Sequence, residues 1–278
     1  MAWYGGAILY AALVWWFSTG LILYLNRRSP ATFGWSLVGS SLLAILALIG
    51  VVQTRFDATP GGAYLAFACG VAIWGWHELS YFMGYASGPR TAPCPIDCSP
   101  WRRFWLAIQI SLYHELAIIA TALLLLGLTW GAPNPVALWT YTVLWAMRWS
   151  AKLNLFLGVP NLHEDWLPRH LRFISGYMAR KPINLLFPFS VTVPTIVVVL
   201  IVQSATAPGV EPFSAVALTL VATLLTLAII EHWFLVLPLP DRVLWSWSLD
   251  ADPPADAAVD SPNRHAPPEA VPHAKADG

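Results

Sequence analysis

Long apolar runs, each about the length of a membrane crossing and each closed by a polar or proline-rich knot, make up nearly the whole chain. A helix needs about twenty apolar residues to cross the hydrocarbon core. Seven runs qualify, at approximately residues 5–25, 34–53, 62–86, 104–130, 135–158, 184–203 and 213–237. The knots between them read NRRSP, TRFDATPGG, SGPRTAPCP and WGAPNP, then a long polar loop, then SATAPGVEP. The expected fold class is all-α, a polytopic membrane bundle of about seven transmembrane helices over residues 1–248. The sixth run contains Pro188 and Pro194 and is expected to kink, because proline removes a backbone donor and crowds the preceding turn. Residues 249–278 are rich in Ala, Pro and Asp, have almost nothing to bury, and are expected to be a disordered cytoplasmic tail that leaves His265 and His273 in water.

Basic residues set the expected orientation. The connections after runs one, three and five carry Arg27, Arg28, Arg90, Arg102, Arg103, Arg169, Arg172, Arg180 and Lys181, whereas those after runs two, four and six carry only Arg55. The positive-inside bias then puts the N-terminus in the periplasm and the C-terminus in the cytoplasm. The N-terminus lacks the basic start and small-residue cleavage site of a signal peptide, so the first run reads as a retained transmembrane helix.

Composition agrees with a membrane protein: 57% hydrophobic, 11% charged, mean hydropathy +0.59, and sixteen tryptophans, whose indoles favour the membrane–water boundary. Net charge is zero, which offers no basic surface to nucleic acid and leaves membrane lipid as the first expected partner. Cys69, Cys94 and Cys98 cannot form a disulfide framework. Cys94 and Cys98 flank PID in a loop on the expected cytoplasmic side, where thiols stay reduced, and the pair alone is weak evidence for metal.

Against this apolar background the ionisable residues stand out. The third run holds His77 and Glu78, the fourth His114 and Glu115, the fifth Arg148, Lys152 and Asn154, and the seventh Glu231 and His232. The loop NLHEDWLPRH adds His163, Glu164, Asp165 and His170. Charges in hydrocarbon cost a few kcal/mol each and therefore face the bundle interior and find partners. At 1.5 Å per residue, His77 lies roughly 22 Å and Glu231 roughly 27 Å from the outer face, while His114 lies roughly 15 Å from the inner end of its own helix. Lys152 falls about seventeen residues into the fifth run. All four helices thus place polar groups in the cytoplasmic half, with the His-Glu loop beneath them.

Three readings fit that convergence. In one, His77, Glu78, His114, Glu115, His163, Glu164, Glu231 and His232 supply ligands for iron or another divalent metal, a donor set that also suits manganese or zinc. The Glu-x-x-His spacing of bundle metal sites is absent, however, and adjacent residues diverge by about 100°, so each pair offers one ligand more easily than two. In the second, the three glutamates pair with Arg148 and Lys152, and the histidines hydrogen-bond across helices. In the third, the histidines hold a tetrapyrrole in a groove walled by tryptophans such as Trp76 and Trp149. The loop from 161 to 173 also reads as an interfacial amphipathic turn, with Trp166, Leu167 and Leu171 in the headgroups, or as a functional cover. The ending HWFLVLPLPDRVLWSW reads as a helix exit held by an aromatic belt.

The blocks WGWHELSYFMG, YHELAI, RWSAKLNLFLGVPNLHEDWLPRHLRFISGYM and EHWFLVLPLPDRVLWSW resemble the photosynthetic complex assembly protein 2 family, the PuhE type of purple phototrophic bacteria. The resemblance covers about residues 1–248. It implies a seven-helix protein of the bacterial inner membrane, an assembly factor for the photosynthetic reaction centre and light-harvesting complex, linked to bacteriochlorophyll production or delivery. It implies reaction-centre or light-harvesting subunits and pigment-biosynthesis enzymes as partners, and bacteriochlorophyll or a precursor as the bound group. No catalytic mechanism comes with it. The family's recurrent polar positions fall on the residues the depth count selects, with Lys152 and Asn154 joining Trp76 and Trp149 as the expected cofactor contacts. The alternative is a His/Glu metal-dependent membrane oxidoreductase acting on a tetrapyrrole or carotenoid. A scaffold whose charges only fix helix packing is the third possibility.

Overall fold

The computed structural model describes residues 2–162, 167–238 and 241–249, and every described element is helical or a turn. Helices α1 (Ala2–Asn26), α2 (Phe33–Thr54), α3 (Pro60–Phe82), α5 (Leu112–Thr129), α6 (Val136–Leu157), α7 (Phe187–Ala205) and α8 (Pro212–Phe234) are the long ones. Two short helices, α4 (Pro100–Ile110) and α9 (Ser246–Leu249), and a 3₁₀ segment at Arg169–Tyr177 complete the polar end. The expected tail and the residues His163, Glu164 and Asp165 lie outside the described residues.

Five of the long helices, α1, α2, α5, α7 and α8, are long and apolar enough to cross a membrane. α3 and α6 match them in length, at 23 and 22 residues, and carry His77, Glu78, Arg148 and Lys152.

The punctuation of the sequence is what starts these helices. Thr59 accepts a hydrogen bond from the Gly62 amide and Ser99 from the Arg102 amide, each followed by a proline at the first helical position, where no donor is needed. Pro188 occupies the same kind of place at the start of α7, and Pro194 sits inside a helix that continues through it. The fourth run is not one helix. It breaks at Ser111 into α4 and α5, and the Ser87 carbonyl from the preceding loop takes the amide of His114. That loop comes so close that a Cβ on Gly88 would run into the Gln109 carbonyl oxygen.

α3 is the axis of the bundle, in contact with α1, α2, α5, α6 and α8. Small residues bring its neighbours close: a Cβ on Gly70 would meet the Ala137 carbonyl of α6 at 2.8 Å. The core around it joins Ala7 and Ala11 of α1, Phe67 and Trp74 of α3, Tyr141 of α6 and Leu220 and Leu224 of α8. Outward-facing Leu9, Leu13, Leu42, Leu46, Leu123 and Leu200 stay exposed on α1, α2, α5 and α7, as helices in hydrocarbon require. After α8 the chain folds back on α1. Trp245 is buried rather than standing in an interfacial belt, because its indole donates to the Trp16 carbonyl while the Trp16 indole donates to Leu244.

Candidate functional site

The ionisable residues of four helices meet at the end where α3, α6 and α8 finish and α5 begins. His77 and Glu78 are both buried, at 1% and 7% exposure, as are His114 and Glu115 at 0% and 8%. Adjacent residues point about 100° apart, so both can be buried only on a helix enclosed on more than one side. α3 meets that condition. Glu115 lies in the first turn of α5, where a carboxylate also interacts favourably with the helix dipole.

α6 supplies the partners. Arg148 grips Glu78 with two contacts, Nε to Oε1 at 3.2 Å and Nη2 to Oε2 at 3.1 Å. Lys152 Nζ lies 2.6 Å from Glu115 Oε1, and the Trp149 indole donates to Oε2 at 2.7 Å. Positions 148, 149 and 152 share one face of the helix, so α6 ties α3 and α5 together through charge-assisted bonds. The rings of Phe82 and Tyr81 lie beneath the Arg148 and Lys152 cations.

The histidines behave differently from one another. His77 Nε2 lies 3.1 Å from the Thr121 hydroxyl of α5. In His232, Nδ1 is 2.8 Å from the Ala228 carbonyl, which can only accept, so Nδ1 carries the proton. Its Nε2, 2.9 Å from the Ser150 hydroxyl, is then the acceptor in the neutral ring. His114 is fully buried, and neither ring nitrogen has a hydrogen-bond partner among the described residues. Its Nε2 is 3.8 Å from Glu78 Oε1, beyond hydrogen-bond range, and its ring packs 4.6 Å from that of Tyr81.

Beside these pairs lies a cavity of about 420 Å³ between α1, α3, α6 and α8. Glu78, Arg148, Lys152, Glu231 and His232 line it, and Trp15, Trp74, Tyr81, Phe82 and Trp245 give it flat apolar walls. Ile174 and Tyr177 of the 3₁₀ segment close one side. Glu231 is the third carboxylate against two cations. Trp15 shares the cavity lining with it, and no cation stands within ion-pair distance of it among the described residues.

Not every expected residue joins this cavity. Trp76 donates to Ser41 of α2 at 2.9 Å. Asn154 donates to Ser190 at 2.8 Å and accepts from Asn184 at 3.0 Å, so it ties α6 to the start of α7. Trp149 bonds Glu115, and of the four expected cofactor contacts only Lys152 lines the cavity. Among the described residues no three His, Cys, Asp or Glu side chains converge as a metal-binding group. Glu78 and Glu115 are held by Arg148 and Lys152. Cys94 and Cys98 adjoin each other, and burial together with the hydrogen bond to Cys98 pushes the Cys94 thiol up, away from the thiolate that metal or nucleophilic chemistry needs.

Sequence reasoning passed over Ser150, Tyr81 and Trp15, whose roles come from distant neighbours, and Asn184. Asn184 had a local signal: an Asn shortly before an apolar run with proline in its first turn is a helix-start pattern. Its Oδ1 accepts from the Leu186 and Phe187 amides.

Comparison with known proteins gives a consistent result. A family model described as a protein of unknown function, DUF3623, matches residues 1–256. A protein of Rhodobacter capsulatus, described as an uncharacterized 30.4 kDa protein in the puhA 5′ region, is 37% identical over 257 residues, covering 90% of this chain and 93% of the relative. No solved structure matches.

Proposed function

This chain belongs to the DUF3623 family, and from that premise we propose that it is an assembly factor for photosynthetic complexes that holds bacteriochlorophyll or a precursor on its way into them. The observation that carries the reading is the inner cavity, in which flat aromatic walls and fixed hydrogen-bonding charges face one another inside a helical bundle. Small-molecule sites combine those two features. A tetrapyrrole offers flat apolar faces and an edge of carbonyl acceptors. Trp15, Trp74 and Tyr81 suit the faces, and Arg148 and Lys152 suit the edge. Glu231, which among the described residues has no cation within ion-pair distance, is the group most available to a guest. The histidines do not compete for this role, since His77 and His232 are bonded to Thr121 and Ser150, and His114 lies outside the cavity lining. The relative's description, placing it in the puhA 5′ region, supports an association with photosynthesis genes.

In this reading α3 and α6 cross the membrane with the other five long helices. The pairing of their charges, Glu78 with Arg148 and Glu115 with Lys152, lowers the cost of that crossing and gives seven spans. The basic connections lie inside, so the cavity sits in the cytoplasmic half of the bacterial inner membrane. There it can meet pigment-biosynthesis enzymes and newly inserted reaction-centre or light-harvesting subunits.

The test is purification of the full chain from phototrophically grown cells. Pigment should co-purify, identified by its absorption spectrum, and should be weakened or lost in Arg148→Leu combined with Glu78→Leu, which removes one cation of the polar edge together with its partner carboxylate. A strain lacking the protein should accumulate fewer assembled complexes. Colourless protein together with normal complex levels in that strain overturns the proposal. One equivalent of iron, manganese or zinc per chain, lost in Glu231→Ala, would instead favour the oxidoreductase.

A further inference from the structure

The polar cavity has an apolar neighbour. A groove of about 960 Å³ runs between α5 and α7 over a floor of α6 and α8, with Leu123, Leu126, Val143, Val193, Val197 and Leu225 among its walls. α7 packs against α8 and makes no comparable contact with α5, which leaves the groove open. It follows α7 from Leu186 to Ile201. At 1.5 Å per residue that is about 22 Å, more than the ~15 Å that one leaflet contributes to a ~30 Å hydrocarbon core.

The two spaces meet at a thin seam between α6 and α8. Met147 lines both of them. One turn further along, Ser150 faces the groove, while His232, to which it is hydrogen-bonded, faces the cavity. Leu225 on the groove side and Ala228 on the cavity side complete the wall. Met147 is unbranched with a flexible thioether, so the residue common to both spaces is also an adaptable one.

Resting on the pigment-handling reading above, we propose that cavity and groove are two compartments of one site for an amphiphile with a flat polar head and a single long hydrocarbon tail. The head lies against Arg148, Lys152 and Glu231. The tail leaves past Met147, alongside the Ser150–His232 bond, and runs down the groove beside α7. Within a bilayer the tail gains no hydrophobic free energy by entering the groove, because it leaves one hydrocarbon phase for another. Affinity therefore resides in the head compartment, and the groove selects by shape, accepting a tail for which it has room.

The experiment uses the full chain in lipid nanodiscs and two probes with a common head: bacteriochlorophyll a, which carries the tail, and bacteriochlorophyllide a, which lacks it. Binding is followed by the shift of the red absorption band against empty discs. Val193→Trp and Val197→Trp fill the groove from positions 55% and 39% exposed, and Leu42→Trp places the same bulk on the outer face of α2. Each groove variant should weaken the tailed probe at least about tenfold and leave the tail-less probe unchanged, while Leu42→Trp changes neither. Groove variants that bind both probes as the wild type does, or that lose both equally, overturn the two-compartment site and leave the pigment reading standing. Failure of the wild type to bind either probe overturns the pigment reading itself.

Discussion

Lys152 and Glu115 show how a charge becomes tolerable in an apolar bundle. Each is held by the other at 2.6 Å, and neither is more than a quarter exposed. Removing one member leaves the other buried without a counter-charge, which costs about 3–5 kcal/mol. Lys152→Met should therefore lower the thermal midpoint sharply in detergent. Lys152→Met with Glu115→Gln should recover part of the loss, because glutamine keeps an acceptor for the Trp149 indole and no charge. Equal midpoints for the single and double variants would show that the pair contributes little. His114 presents the opposite case. Both of its ring nitrogens are buried without a hydrogen-bond partner among the described residues, an arrangement that costs about 1–3 kcal/mol. His114→Phe, which keeps a flat ring beside Tyr81, should then raise the midpoint. A fall would reveal a partner for the imidazole, and a rise would mark His114 as a residue kept at the expense of stability.

At the scale of elements, the site depends on where helices start and stop. Asn184 caps α7 with its oxygen and, through its amide, donates to Asn154 and the Gly158 carbonyl at the end of α6. Asn184→Ala should cost about 2 kcal/mol, since a cap and the bonds that register two helices are lost together. Thermal unfolding against a Ser204→Ala control checks this, because the Ser204 hydroxyl donates to the Leu200 carbonyl of its own helix. The break at Ser111 matters as much. It turns α4 away and lets His114 and Glu115 begin a helix, and it depends on Gly88 passing the Gln109 carbonyl. Gly88→Ala should push the α4–α5 junction outward, seen as faster amide hydrogen exchange over residues 108–115 and unchanged exchange in α7.

For the molecule as a whole, orientation has a direct readout. A phosphatase reporter in the connection at residues 130–135 should be active outside the cell membrane, and one fused after residue 250 should be inactive there. The reverse pattern would move the cavity to the other half of the bilayer. How the parts come together was legible to different degrees. The depth count drew His77, Glu78, His114, Glu115, Lys152 and Glu231 to one level, because rise per residue is a property of any helix. It could not tell that Trp76 and Asn154 at that level point away from the cavity, since azimuth depends on which neighbours surround each helix.

By itself, the sequence determined an all-helical chain with several helices able to cross a membrane, and it determined that their charges must share a depth and find partners. Those properties depend on composition, length and the cost of charge in hydrocarbon, all of which are local. Only the tertiary structure decided which carboxylate meets which cation, that His114 has no hydrogen-bond partner among the described residues, and that Trp245 returns to seal the bundle against Trp16. It also decided that Met147 stands between a polar cavity and an apolar groove. These are contacts between residues far apart in the chain, and they exist only once five helices have packed around α3.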